Sequence, residues 1–241
     1  MFPDFSTRSG MTELMDDPLC SEELLLRTIG QFASINRLFS RYRTLLKRWV
    51  LADMLKAPDQ PYHLVDMGAG GCDIAVWLLH TARKRGLNLR ITACDLDPRI
   101  LDYARTTYGK TAGLTFRQTD LLAGQFDEPV DFVFANHFLH HLSDRQIVDL
   151  IRLWQPQIRH RMVLSDLERN PFSYLGFSIF ARIYRRSFTR SDGLISILRG
   201  FRPRELDALA GEALATAPAR VHRLAPGRLA LCIEGNRSEN T

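Results

Sequence analysis

The chain has 241 residues, 45% of them hydrophobic and 24% charged, with a formal net charge of +5. That is ordinary for one folded α/β domain with elaborations, large enough to need no disulfide or metal staple. No apolar run approaches the ~20 residues that span a bilayer, and the four cysteines, Cys20, Cys72, Cys94 and Cys232, have no metal-ligand spacing, so reduced thiols and no metal are expected.

Residues 1 to about 15 lack periodicity and read as a frayed terminus without a secretion signal, which points to a cytoplasmic chain. From Ser21 to about Lys56, apolar residues including Leu24, Leu25, Ile29, Phe32, Leu45, Leu46 and Trp49 recur mostly at three and four. This spacing predicts one or two helices, a cap over residues 1–60 belonging to the same domain as residues 61–241. "APDQP" ends them.

Short apolar runs then alternate with helical ones, the pattern of a parallel sheet covered by helices. Strands are predicted near 63–67, 90–95, 114–118, 131–136 and 160–165, and helices near 72–84, 98–108, 144–155 and 171–185. A helical insertion over about 167–215 follows the fifth strand. Its "NPFSYLGFSIFARIY" aligns Ser173, Phe177, Phe180 and Tyr184 on one helical face. That face either buries aromatics on the sheet or lines a lid over an apolar ligand. Seven arginines fall between Arg182 and Arg204 against Asp192 alone, read as a solvated helical face or, alternatively, a contact for a polyanion. "ARVHRLAPGRLALCIEG" reads as a terminal β-hairpin.

The stretch "HLVDMGAGGCDIAVWL" is strand, glycine loop and helix. Gly68 and Gly70 fit the first two places of the dinucleotide fingerprint, but Asp73 occupies the third, where its carboxylate opposes a pyrophosphate. This argues against a nicotinamide or flavin dinucleotide. A ligand with a positive centre is favoured instead, because Asp66, Asp95 and Asp120 close successive strands at the edge where open α/β sheets bind ligands.

In order and spacing, "DMGAGGC", "ITACDLDPRILDYAR", Asp120 and "FDEPVDFVFANHFLHHLSD" resemble the class I S-adenosylmethionine-dependent methyltransferases of the small-molecule branch. The resemblance extends from about Tyr62 to Asp166. It implies a Rossmann-like, seven-stranded, mostly parallel sheet with an antiparallel C-terminal strand, and S-adenosylmethionine as cofactor. It further implies donor contacts at Asp66, Gly68, Ala69, Gly70, Asp95, Leu96, Asp120, Leu121, Asn136 and His137. Cys72 departs from the glycine of the family loop and is expected inside the first helical turn, free of positive φ.

Methyl transfer needs alignment and dry surroundings, with a base only where the acceptor carries a proton. His137, His140 and Asp166 are the candidates, His137 foremost and His140 second, while Asp166 either caps a helix or lines the acceptor pocket. "SFTRSDGLISILRGFRPREL" resembles methyltransferases of polyketide, quinone and phenolic-lipid pathways. The expected partner is a small hydrophobic or aromatic acceptor, methylated at a hydroxyl or activated carbon, with no stable nucleic acid, no membrane span, and a monomer or homodimer. An RNA or protein methyltransferase and a non-catalytic donor-binding protein are the alternatives.

Overall fold

A computed structural model describes residues 3–123, 126, 128–214 and 217–236. Asp127 of the fourth motif and the expected end of the insertion near 215 lie outside the described residues. The chain opens with α1 (Glu22–Ile35), where Ser21 accepts the Leu24 N–H and Glu22 and Glu23 face the helix N-terminus. A π-helical turn (Asn36–Ser40), α2 (Tyr42–Leu46), a second π-helical turn (Lys47–Leu51) and α3 (Ala52–Met54) complete the N-terminal helical run.

The alternating part follows as β1 (Pro61–Met67), α4 (Asp73–Arg83), β2 (Asn88–Asp95), α5 (Pro98–Tyr108), β3 (Leu114–Gln118), β4 (Val130–Asn136), α6 (Asp144–Trp154) and β5 (Ile158–Leu167). The helix starts carry their own signals. Asp97 caps α5 ahead of Pro98, and Ser143 and Gln146 form a reciprocal capping box on α6. The insertion comprises α7 (Pro171–Phe180), α8 (Thr189–Arg199) and α9 (Pro203–Ala213), after which β6 (Ala219–Leu224) and β7 (Arg228–Glu234) form the hairpin.

Seven strands lie in the order β3-β2-β1-β4-β5-β7-β6. β1 to β5 pair in parallel, and β7 enters antiparallel between β5 and β6. The order reverses at β1, so the carboxyl ends of β1 and β4 diverge there and open the crevice expected of such sheets.

Helices cover both faces, which is why β1 and β4 read as continuous apolar runs. Along β4, Phe132 and Phe134 enter one core with α4 and the N-terminal helices, while Val133 and Ala135 enter another with α6 and α9. Leu45, Leu46, Val50, Leu51 and Met54 lie wholly within the first of these cores. The helix α9 packs on α6 and β6, so it covers the sheet, and only α7 and α8 of the insertion lie towards α1.

The N-terminal segment departs from its reading as a frayed end. Ser9 donates to the Leu198 carbonyl, Arg169 donates to the Phe5 carbonyl, and Glu13 is buried. The ordering comes from polar contacts to distant elements, which no local periodicity announces. Leu46→Ala should lower the unfolding free energy by about 2–5 kcal/mol while unfolding stays a single transition, as followed by urea titration with circular dichroism and fluorescence; separate transitions would mean that the helical run is an independent unit.

Candidate functional site

The glycine loop joins β1 to α4 through three left-handed residues, Gly68 (φ 63°), Gly70 (φ 51°) and Cys72 (φ 60°). Gly68 also accommodates the Phe138 ring, which would stand 2.7 Å from a Cβ at that position. Cys72 corrects the expectation drawn from sequence. It is the N-cap of α4, outside the first turn, and it adopts the conformation a glycine takes more easily. Its thiol is buried, and burial pushes its pKa up, with Asp66 and Asp95 adding to the effect, so the helix terminus does not create a reactive thiolate.

Asp95 stitches two motifs together. One carboxylate oxygen accepts the Gly70 N–H at 3.0 Å, and the other accepts the Asp97 N–H at 3.2 Å. Asp66, at the end of β1, is buried, and burial pushes its pKa up to about 8 with help from the charges of Asp73 and Asp95. Burial likewise raises Asp73 and Asp95, although the Asn36 amide hydrogen-bonded to Asp73 works in the opposite direction. Three carboxylates with raised pKa values thus surround the loop, an arrangement short of positive charge.

Leu96 is 65% exposed and Asp120 is exposed beside it along the edge. The Leu121 side chain turns into the α6 core, and its carbonyl accepts the Trp154 Nε1–H at 2.9 Å. The wall opposite the loop comes from α1, one of the N-terminal helices whose apolar periodicity suits either a cover over the donor or a dimer contact. Ile29 and Phe32 lie against Gly71 and Gly70, and Asn36 bridges Asp73 to the Asn136 amide. Helical periodicity marked these apolar residues as core but could not show what they would cover.

At the ends of β4 and β5 lies a second polar group. His137 has φ 59°, and its N–H donates to the Ser165 carbonyl. Its Nε2 accepts from Arg228 Nη1 at 2.7 Å, while Arg228 Nη2 donates to Asn136 Oδ1 at 2.8 Å and to Ser165 Oγ at 3.2 Å. Burial and the Arg228 charge hold the His137 imidazole neutral, well below its usual range. With Nε2 accepting, the proton of the neutral ring sits on Nδ1. Arg228, wholly buried, was hidden in the sequence by its place in an ordinary turn, "APGR".

The remaining candidates pair with one another. His140 Nδ1 lies 2.7 Å from Asp166 Oδ1, and its Nε2 lies 3.3 Å from Glu13 Oε1. Burial alone would lower the His140 pKa, but the two carboxylates outweigh it and push it up to about 9. Burial raises Asp166 and Glu13, and the His140 charge more than reverses this, leaving both below the ordinary carboxylate range. His140 is therefore an imidazolium with both N–H groups engaged, and Asp166 spends its oxygens on His140 and the Leu167 N–H. Neither faces an acceptor pocket as a base, which corrects both assignments. Glu13, His140 and His141 bring ligand atoms within 4.8 Å of one another, yet these atoms are already matched as ion pairs, His141 with Asp16.

The network has a pH signature. The His140 share of stability is complete below 6.5 and is lost as pH rises through about 9, while the Glu13 and Asp166 shares are present above the ordinary carboxylate range and are lost as pH falls. Glu13→Ala should cost about 3–5 kcal/mol and make the decline in stability between pH 6.5 and 9 shallower, as read by urea unfolding across that range; an unchanged slope would remove Glu13 from the network.

Residues 64–160 match a family model described as "Methyltransferase domain". No curated protein matches the chain. Among solved structures, human N-acetylserotonin methyltransferase in complex with S-adenosylmethionine is 14% identical with a TM-score of 0.64, covering 90% of this chain and 57% of its own. An O-methyltransferase from Nostoc punctiforme, assigned as such without proof, is 15% identical with a TM-score of 0.58, covering 94% of this chain and 64% of its own. The plantazolicin methyltransferase, solved with S-adenosylhomocysteine, is 13% identical with a TM-score of 0.57, covering 87% and 85%. This chain thus spans less than two thirds of the length of the first two. Residues 64–160 thus match a methyltransferase domain, and the chain shares its fold with methyltransferases of known structure.

Proposed function

We propose that the protein transfers a methyl group from S-adenosylmethionine to a hydroxyl or activated carbon of a small hydrophobic or aromatic acceptor. The observation that carries this reading is the Gly70 N–H held on Asp95 between the raised carboxylates of Asp66 and Asp73. That crevice suits a cation lying over glycines and fits a sulfonium and an ammonium better than a pyrophosphate. S-adenosylmethionine supplies a methyl group already attached to a good leaving group.

The chain's own part is then positioning and exclusion of water. Asp95 is assigned the ribose hydroxyls, and Asp120 and Leu96 the adenine. Gly68, Ala69 and Gly70 lend backbone against the methionine portion, with Asp66 near its ammonium. Ile29 and Phe32 close the crevice from α1. Asn136 and His137, held by Arg228, orient the acceptor next to the transferred group. His137 acts here as a positioning residue, since its protonated Nδ1 offers no lone pair. A polyanionic acceptor has no observation in its favour at this crevice, and a cytoplasmic location is consistent with reduced, buried Cys72, Cys94 and Cys232.

Two measurements test this. A bound cation favours ionised Asp66, so donor binding should release protons and tighten as pH rises towards about 8, then level off. Calorimetry in buffers of different ionisation enthalpy reads both effects, and Asp66→Asn should flatten the dependence. Uptake of labelled methyl across hydrophobic phenols and quinols tests turnover, where His137→Ala should lower kcat by about 10- to 100-fold with donor Kd unchanged. Donor binding without turnover on any acceptor would instead favour a non-catalytic donor-binding protein.

A further inference from the structure

The helix α7 has two apolar sides, and the protein uses only one. On its inner side Phe180 stacks edge-on against Phe39 at 4.7 Å, Phe177 packs against Gly193, and just beyond the helix the Tyr184 hydroxyl meets Ser34 Oγ at 3.0 Å. On its outer side Phe172 is 87% exposed, Leu175 52%, Ile179 57%, and beyond the helix end Ile183 is 69% exposed. Within the helix, positions 172, 175 and 179 step by three and four, so these side chains form one stripe. An isolated exposed leucine is unremarkable, but a row of large apolar side chains on one helix marks a contact surface.

Charge identifies what the stripe meets. Arg182, Arg185, Arg186 and Arg190, which follow α7 in the chain, are exposed, and none of the four has a carboxylate partner among the described residues. From Arg169 to Ser191 the chain contains no Asp or Glu. The flanking acids are committed, Glu168 to Arg223 and Asp192 to the Met15 N–H. A second copy docked face to face would set arginines against arginines with no carboxylate between them. RNA would engage the arginines and leave Phe172 and Ile179 in water.

An anionic lipid surface satisfies both halves. Apolar side chains enter the acyl boundary while arginines remain among the phosphates. Among the described residues no helix is long and apolar enough to cross a membrane. We propose that the outer face of α7, with Arg182, Arg185, Arg186 and Arg190, docks the protein on an anionic membrane surface. This concerns where the chain sits and does not depend on the identity of the acceptor.

The test is co-sedimentation of the full chain with phosphatidylcholine vesicles, with and without phosphatidylglycerol, at low and high salt. Binding should be at least about tenfold tighter with phosphatidylglycerol and should weaken in high salt. Phe172→Ser combined with Ile179→Ser, and separately Arg185→Glu combined with Arg186→Glu, should each reduce it by about tenfold or more. All four positions are exposed, and circular dichroism verifies folding of each variant. Equal binding to neutral vesicles, absence of binding, or indifference to both variants would overturn the proposal. So would variants whose effect falls on self-association in sedimentation velocity, or on RNA retention, and not on vesicles.

Discussion

The imidazolium of His140, buried between Asp166 and Glu13, is the interaction on which the site end of the molecule depends. Removing such charges from water is costly unless each is matched, and here the match exists in only one arrangement. Asp166 comes from β5, His140 from the turn after β4, and Glu13 from the N-terminal segment. Arg199 of α8 then donates to the carbonyls of His140 and His141. Three parts of the chain are therefore registered against one another by one charged ring, and α8 joins them through backbone carbonyls.

Beside it, Arg228 performs the same service for the other half. Pairing of Asn136 with Ser165 and of Leu167 with Arg228 brings the first residue of β7 over the ends of β4 and β5. The guanidinium then reaches His137, Asn136 and Ser165 at once. The antiparallel insertion of β7 is thus more than a way to extend the sheet, because it supplies the buried cation that fixes the residues bordering the crevice.

Across the crevice the balance of charge is opposite. Asp66, Asp73 and Asp95 crowd a loop in which Gly68, Gly70 and Cys72 all take left-handed conformations. Such strain and charge persist where the surroundings over-determine them, and they cluster at ligand sites. The Asn136–Asn36–Asp73 bridge spans the two sides and draws the N-terminal helices into the wall.

Much of this was legible in the residues. Apolar runs bounded by turns located β1 to β5, and the acids ending successive strands pointed to the edge where the crevice lies. These are local signals, set by backbone chemistry and by burial periodicity. What sequence did not reveal depends on partners far along the chain. The ordering of residues 3–16, the occupation of His140 by two carboxylates, the turning of His137 to Arg228, the inward side chain of Leu121 and the positive φ of Cys72 follow from tertiary contacts. Sequence determined which groups reach the carboxyl edge of the sheet. Only the folded arrangement decided which of them face the crevice and which neutralise one another, because a buried charge takes its protonation state from neighbours that packing, not spacing, brings within 3 Å or so.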